Sequence, residues 1–125
     1  MIAYTTLGVS DLDAAKIFYS NLLGVIGAEH VFGNERIALY GHDVSQPMLS
    51  ICIPYDEGEP SAGNGTMVAI RAGGPEDCDA LYAKAIDLGA TCDGPPGERV
   101  PGFFYGAYVR DPDGNKLCFC QIGPN

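Results

Sequence analysis

One pattern occurs twice in this chain and limits what it can fold into. A short strand leads into an amphipathic helix with an acidic start and a glycine stop, and three more strand candidates follow. In the first copy, residues 2–9 are β-branched and aromatic, as strands are. Ser10 is the expected N-cap, with Asp11 and Asp13 where the helix dipole favours negative charge. Leu12, Ala15, Phe18, Tyr19, Leu22 and Leu23 recur at helical spacing, and Gly24 ends the run. Residues 25–31, 36–40 and 48–53 are the strands that follow.

The second copy begins with a strand at 66–72. Pro75, Glu76 and Asp77 suit the first turn of a helix. Cys78, Leu81, Tyr82, Ala85 and Leu88 form its apolar stripe, and Gly89 stops it. Residues 90–92 read as a short strand and the proline-rich 93–102 as a loop. The sequence therefore predicts one domain over 1–125, built of a first module at 1–55, a connector at 56–65 and a second module at 66–125. Each module has the order β-α-β-β-β, so the fold class is α+β.

The chain closes on a hairpin. Asp111-Pro112-Asp113-Gly114-Asn115 is a strong turn signal between the apolar flanks 103–110 and 116–122. Counting outward from that turn places Arg110 opposite Asn115 and Ala107 opposite Cys118. Tyr105 is then expected on the face of Cys118 and Cys120. By the same alternation Tyr4 shares a face with Thr6, and Met48 shares one with Ser50 and Cys52.

Composition excludes several classes. A net charge of −9 argues against nucleic acid and anionic membrane as partners. No apolar run approaches the ~18 residues that span a bilayer. The N-terminus lacks the pattern of a signal peptide, so a cytoplasmic protein is expected. The 5 cysteines form no CxxC pair, which indicates buried free thiols rather than a disulfide framework or zinc ribbon. No Gly-x-Ser-x-Gly, P-loop or dinucleotide fingerprint occurs.

Residues 5–12 (Thr-Thr-Leu-Gly-Val-Ser-Asp-Leu), with Phe18-Tyr19 and Leu22-Leu23-Gly24, resemble the opening of the vicinal oxygen chelate superfamily. That superfamily holds glyoxalase I, the bleomycin-resistance proteins and the extradiol dioxygenases. Residues 109–115 (Val-Arg-Asp-Pro-Asp-Gly-Asn) resemble its closing signature, and Ala80, Ala85, Leu88 and Gly89 its second helix. The resemblance implies two modules in a U-shaped mixed or antiparallel sheet around a ligand cleft, completed in a homodimer. It also implies a divalent metal held by His and Glu side chains, which polarises vicinal oxygens of a substrate.

Carried over one at a time, the implied ligand positions fall at Tyr4, near Ser50, at Thr66 and at Cys118. None keeps the family's residue. Hydroxyl oxygens that stay protonated are poor ligands, and one thiolate does not replace the several deprotonated ligands behind the ~10–16 kcal/mol of a structural site. His30 and His42 fall on none of these positions. No cofactor is therefore expected. The leading expectation is metal-free binding of a small, partly aromatic molecule in a cleft lined by Tyr4, Thr6, Met48, Ser50, Thr66, Tyr105 and Cys118. The alternatives are a metal-dependent lyase, isomerase or dioxygenase using displaced ligands, and a ligand-free dimeric relic. Catalysis is assigned to no residue, and whether the chain is an enzyme stays open at this point.

Overall fold

The computed structural model describes residues 1–123. The chain divides into two compact units, Met1–Ala62 and Gly63–Asn125. Each has the order expected, one strand, one helix and three strands.

In the first unit these are β1 (Tyr4–Gly8), α1 (Leu12–Gly24), β2 (Glu29–Gly33), β3 (Ile37–Gly41) and β4 (Met48–Cys52). They form a mixed sheet in the order β1-β4-β3-β2, with β1 parallel to β4 and the other pairs antiparallel. The cap of α1 is Asp11, not Ser10: its extended backbone lets the side chain accept from the Ala14 amide at 3.1 Å. The strand expected from residue 25 starts only at Glu29. The helix unwinds through tight turns, in which Val25, Ile26 and Gly27 donate to the carbonyls of Leu22, Leu23 and Gly24. Apolar Val25 and Ile26 mimic a strand, but their amides are already spent.

Leu7, Ala38, Tyr40, Leu49 and Ile51 alternate onto one face and are buried. Tyr40 shows that this is the face covered by α1. Its hydroxyl lies 3.0 Å from Ser20 Oγ and donates to the Lys16 carbonyl at 3.3 Å, both on the helix.

The second unit holds β5 (Val68–Arg71), α2 (Pro75–Asp87), β6 (Thr91–Val100), β7 (Phe104–Arg110) and β8 (Lys116–Ile122), in the order β5-β8-β7-β6. Only β5 and β8 run parallel. Asp77 reaches back to accept from the Gly74 amide at 3.0 Å, which starts α2. Ala107, Val109, Leu117 and Phe119 are buried on the face toward α2.

Two expectations fail here. Residues 93–102 are not a loop, because β6 runs ten residues along β7. Its register slips between Cys92 and Gly94, between Gly94 and Gly97, and between Glu98 and Val100. Pro95 and Pro96 fall inside such a slip on an edge strand, where a missing amide donor breaks no ladder. The hairpin register also differs by one residue. Arg110 pairs with Lys116, Ala107 with Phe119 and Tyr108 with Cys118. The cause is Asp111, whose Oδ1 accepts from the amides of Asp113 and Asn115 at 2.9 and 2.8 Å. The Asp111 amide in turn donates to the Asn115 carbonyl at 2.9 Å, so Asn115 stands opposite Asp111 rather than Arg110. The slip moves Tyr105 opposite Gln121, onto the other face from Cys118.

Among the described residues, no helix is long and apolar enough to cross a membrane.

Candidate functional site

Each sheet has one face turned to its helix and one open face. In the first unit the open face gathers four of the expected residues. Tyr4 lies beside Met48 and Thr6 beside Ser50 across the parallel β1–β4 pair, and Leu39 follows Ser50 on β3. Gly41 permits this, since a Cβ there would lie 2.8 Å from Met48 Cγ. Tyr4 is 49% exposed, and Phe32, opposite Leu39 on β2, is 57% exposed. Phe32 was not foreseen, because its place depends on a register shift between His30 and Phe32 that no turn residue announces.

Ser50 stands apart chemically. It is 0% exposed, and its Oγ has no hydrogen-bond partner. Leaving a buried hydroxyl unpaired costs about 1–3 kcal/mol. The open face of β1–β4 therefore carries exposed aromatic surface and a half-buried thioether around one unsatisfied hydroxyl.

The second unit brings its expected residues together less well. Cys118 is on the open face between Tyr108 and Ala69. Tyr105 is on the other side, where its hydroxyl donates to Asp79 on α2 at 2.7 Å. That bond to a carboxylate holds the Tyr105 phenol above its ordinary pKa. Thr66 precedes β5, and alternation back from Arg71 and Ala69 puts Met67, not Thr66, on the open side. Tyr108 was missed for the same reason that Tyr105 was misplaced, the one-residue register error.

The donor set does not fit a divalent metal of the kind the resemblance implies. Burial pushes the Cys118 thiol up to about 12, and Cys120 beside it adds to the shift. Cys118 therefore stays a protonated, inert thiol at neutral pH. Ser50 offers a neutral hydroxyl. Among the described residues, no group of three or more His, Cys, Asp or Glu is placed to hold a metal. His30 stands edge-on to Tyr40, with ring centroids 5.5 Å apart, and His42 is exposed outside the strands.

Comparison with known proteins follows this geometry. A family model described as Glyoxalase/Bleomycin resistance protein/Dioxygenase superfamily matches residues 1–119. A lactoylglutathione lyase of Haemophilus influenzae is 28% identical over 123 residues, covering 96% of this chain and 91% of that protein. A probable lactoylglutathione lyase of Synechocystis is 27% identical, covering 96% and 94%. The crystal structure of a glyoxalase/bleomycin resistance protein from Albidiferax ferrireducens matches with a TM-score of 0.87 and 37% identity, over 96% of this chain and 97% of that one.

Proposed function

The chain belongs to the Glyoxalase/Bleomycin resistance protein/Dioxygenase superfamily, and from that premise we propose that it is a metal-independent binding protein for a small, partly aromatic molecule. The ligand sits on the open face of β1–β4, among Tyr4, Thr6, Met48 and Ser50. The observation that carries this reading is Ser50. A hydroxyl kept buried and unpaired at a stability cost is explained when a ligand's polar atom completes it. Exposed Tyr4 and Phe32 supply flat surface for an aromatic body. Met48 borders the hydroxyl with a flexible thioether that can swing aside. Two copies of the chain associate as a homodimer in this reading, which sedimentation tests.

The binding reading has a direct test. Phenol and indole are titrated into the folded chain and followed by NMR. Ser50→Ala should raise stability by about 1 kcal/mol, since it deletes an unsatisfied group, and should weaken phenol binding about tenfold. Tyr4→Ala should weaken both probes, whereas Thr66→Ala should leave both as they are. Unchanged affinity in Tyr4→Ala and Ser50→Ala would overturn the assignment.

The relatives named as lyases motivate a second measurement. Thermal melts with Mn²⁺, Fe²⁺, Ni²⁺ and Zn²⁺ should match the melt in chelator. A stoichiometric metal that raises Tm would instead favour a displaced-ligand enzyme.

A further inference from the structure

The chain is acidic, yet its cations are not scattered. Arg71, Arg99, Arg110 and Lys116 make up more than half of its 7 basic residues. Register puts Arg71, Arg110 and Lys116 on the open face of β5–β8, the face of Cys118 and Tyr108. Arg99 joins them from β6, with its guanidinium 5.5 Å from the centroid of the Tyr108 ring. The Lys116 ammonium lies 5.3 Å from the same centroid. Two cations share one half-buried phenol ring.

Their compensation is incomplete. Asp93 is the carboxylate that meets Arg110, at 3.0 Å, and Lys116, at 3.4 Å. One negative charge is thus spread over two positive ones. Burial opposes ionisation of Asp93, but Lys116 and Arg110 outweigh it and hold the carboxyl below its ordinary pKa. Among the described residues, no carboxylate pairs with Arg99 or Arg71. Arg99 donates to the Pro95 carbonyl, and Arg71 donates to the Ile122 carbonyl at 3.3 Å. Neither bond cancels the guanidinium's charge.

The floor beneath is low. Cys118 and Gly94 flank Tyr108 on this face, and a Cβ at Gly94 would lie 2.9 Å from the Tyr108 ring. The missing side chain at Gly94 is what gives the Tyr108 ring room against β6.

We propose that the open face of β5–β8 is a subsite for a small aromatic carboxylate. Arg99 and Lys116 take the carboxylate and Tyr108 takes the ring. Arg71 adds positive potential from the edge strand. A planar guanidinium matches a carboxylate through two parallel N–H bonds, which an ammonium alone does not. The inference goes beyond the binding reading above: that reading places its ligand on the first unit, whereas this subsite belongs to the second and takes an anion. The chain as a whole carries a net charge of −9, and these four cations are its largest concentration of positive charge on one face.

Benzoate and benzamide differ in charge and little in shape, so they are the probes. Each is titrated into the full chain and read by calorimetry and by the Tyr108 ring resonances. Wild type should bind benzoate at least tenfold tighter than benzamide, with benzoate moving the Tyr108 signals. Raising NaCl from 50 to 500 mM should erode that preference. Arg99→Gln should abolish it, Arg99→Lys should restore part of it, and Lys116→Gln provides a second variant should Arg99→Gln misfold. Equal binding of both probes, untouched by Arg99→Gln or Lys116→Gln but weakened by Tyr4→Ala, would overturn the anion subsite and leave the binding reading standing. Binding of neither, with phenol and indole also inert, would overturn both.

Discussion

Replacing Asp111 by alanine should destabilise the chain by about 3 kcal/mol, read as a lower urea midpoint at unchanged slope. Asp111 is 4% exposed, and so is largely cut off from water. Its Oδ1 accepts two backbone amides, those of Asp113 and Asn115, and its Oδ2 accepts from Asn115 Nδ2 at 3.0 Å. Asn115 is itself only 3% exposed. Alanine strands these donors where water cannot replace the carboxylate, at about 1–3 kcal/mol for a buried unsatisfied group. Gly114 follows the turn with φ 87°, so the loop has no relaxed alternative for other residues there.

Asn at 111 is the informative control. Its amide oxygen still accepts the two backbone donors, whereas its NH₂ would face the NH₂ of Asn115. Asp111→Asn should therefore cost about 1 kcal/mol, one hydrogen bond's worth. If both variants lose the same amount, charge rather than backbone bonding holds the turn, and the register argument built on Asp111 loses its support.

That turn also marks where sequence reasoning reached and where it stopped. The two helices were legible because apolar spacing and acidic starts are local signals. The duplicated order and the hairpin were legible for the same reason. The strand pairings were not. A carboxylate that captures two amides sets Asn115 opposite Asp111 rather than Arg110, and no composition rule announces that shift. The cost was specific: Tyr105 was placed on the wrong face and Tyr108 was overlooked. β6 was missed because prolines argue against strands, and only its edge position and repeated slips reconcile them. In the first unit the candidate site fared better. Tyr4, Thr6, Met48 and Ser50 needed only alternation along β1 and β4 to share a face, and their pairing carries no bulge.

Alkaline pH should unfold this protein steeply, and its buried thiols are the reason. Cys118 and Cys78 are each 0% exposed. Burial pushes Cys118 up to about 12 and Cys78 up to about 11, with Cys120 nearby reinforcing both. In the unfolded chain a thiol titrates near ~8.5. The folded values are the raised ones, so the unfolded state gives up its protons first. The stability tied to these thiols is complete below about pH 8.5 and drains away as pH climbs toward the folded values. Each thiol contributes a slope of about 1.4 kcal/mol per pH unit, so the pair gives about 2.7. Two pH units would remove about 5 kcal/mol, comparable with the whole stability of an ordinary domain.

Urea unfolding at pH 7.5, 9.5 and 10.5 reads this directly. Cys118→Ala should begin less stable than wild type at pH 7.5, because it leaves a small cavity. It should then lose stability more slowly by about 1.4 kcal/mol per pH unit, so that the two curves converge. Parallel curves would mean that Cys118 is not the group being titrated. The result also bears on the open face of β5–β8. A Cys118 thiolate beside Tyr108 would place a negative charge where Arg99 and Lys116 are proposed to meet a carboxylate. Holding that thiol neutral across the physiological range keeps the positive potential of the face intact. The burial that makes Cys118 useless as a nucleophile or metal ligand also keeps a negative charge off that face well into the alkaline range.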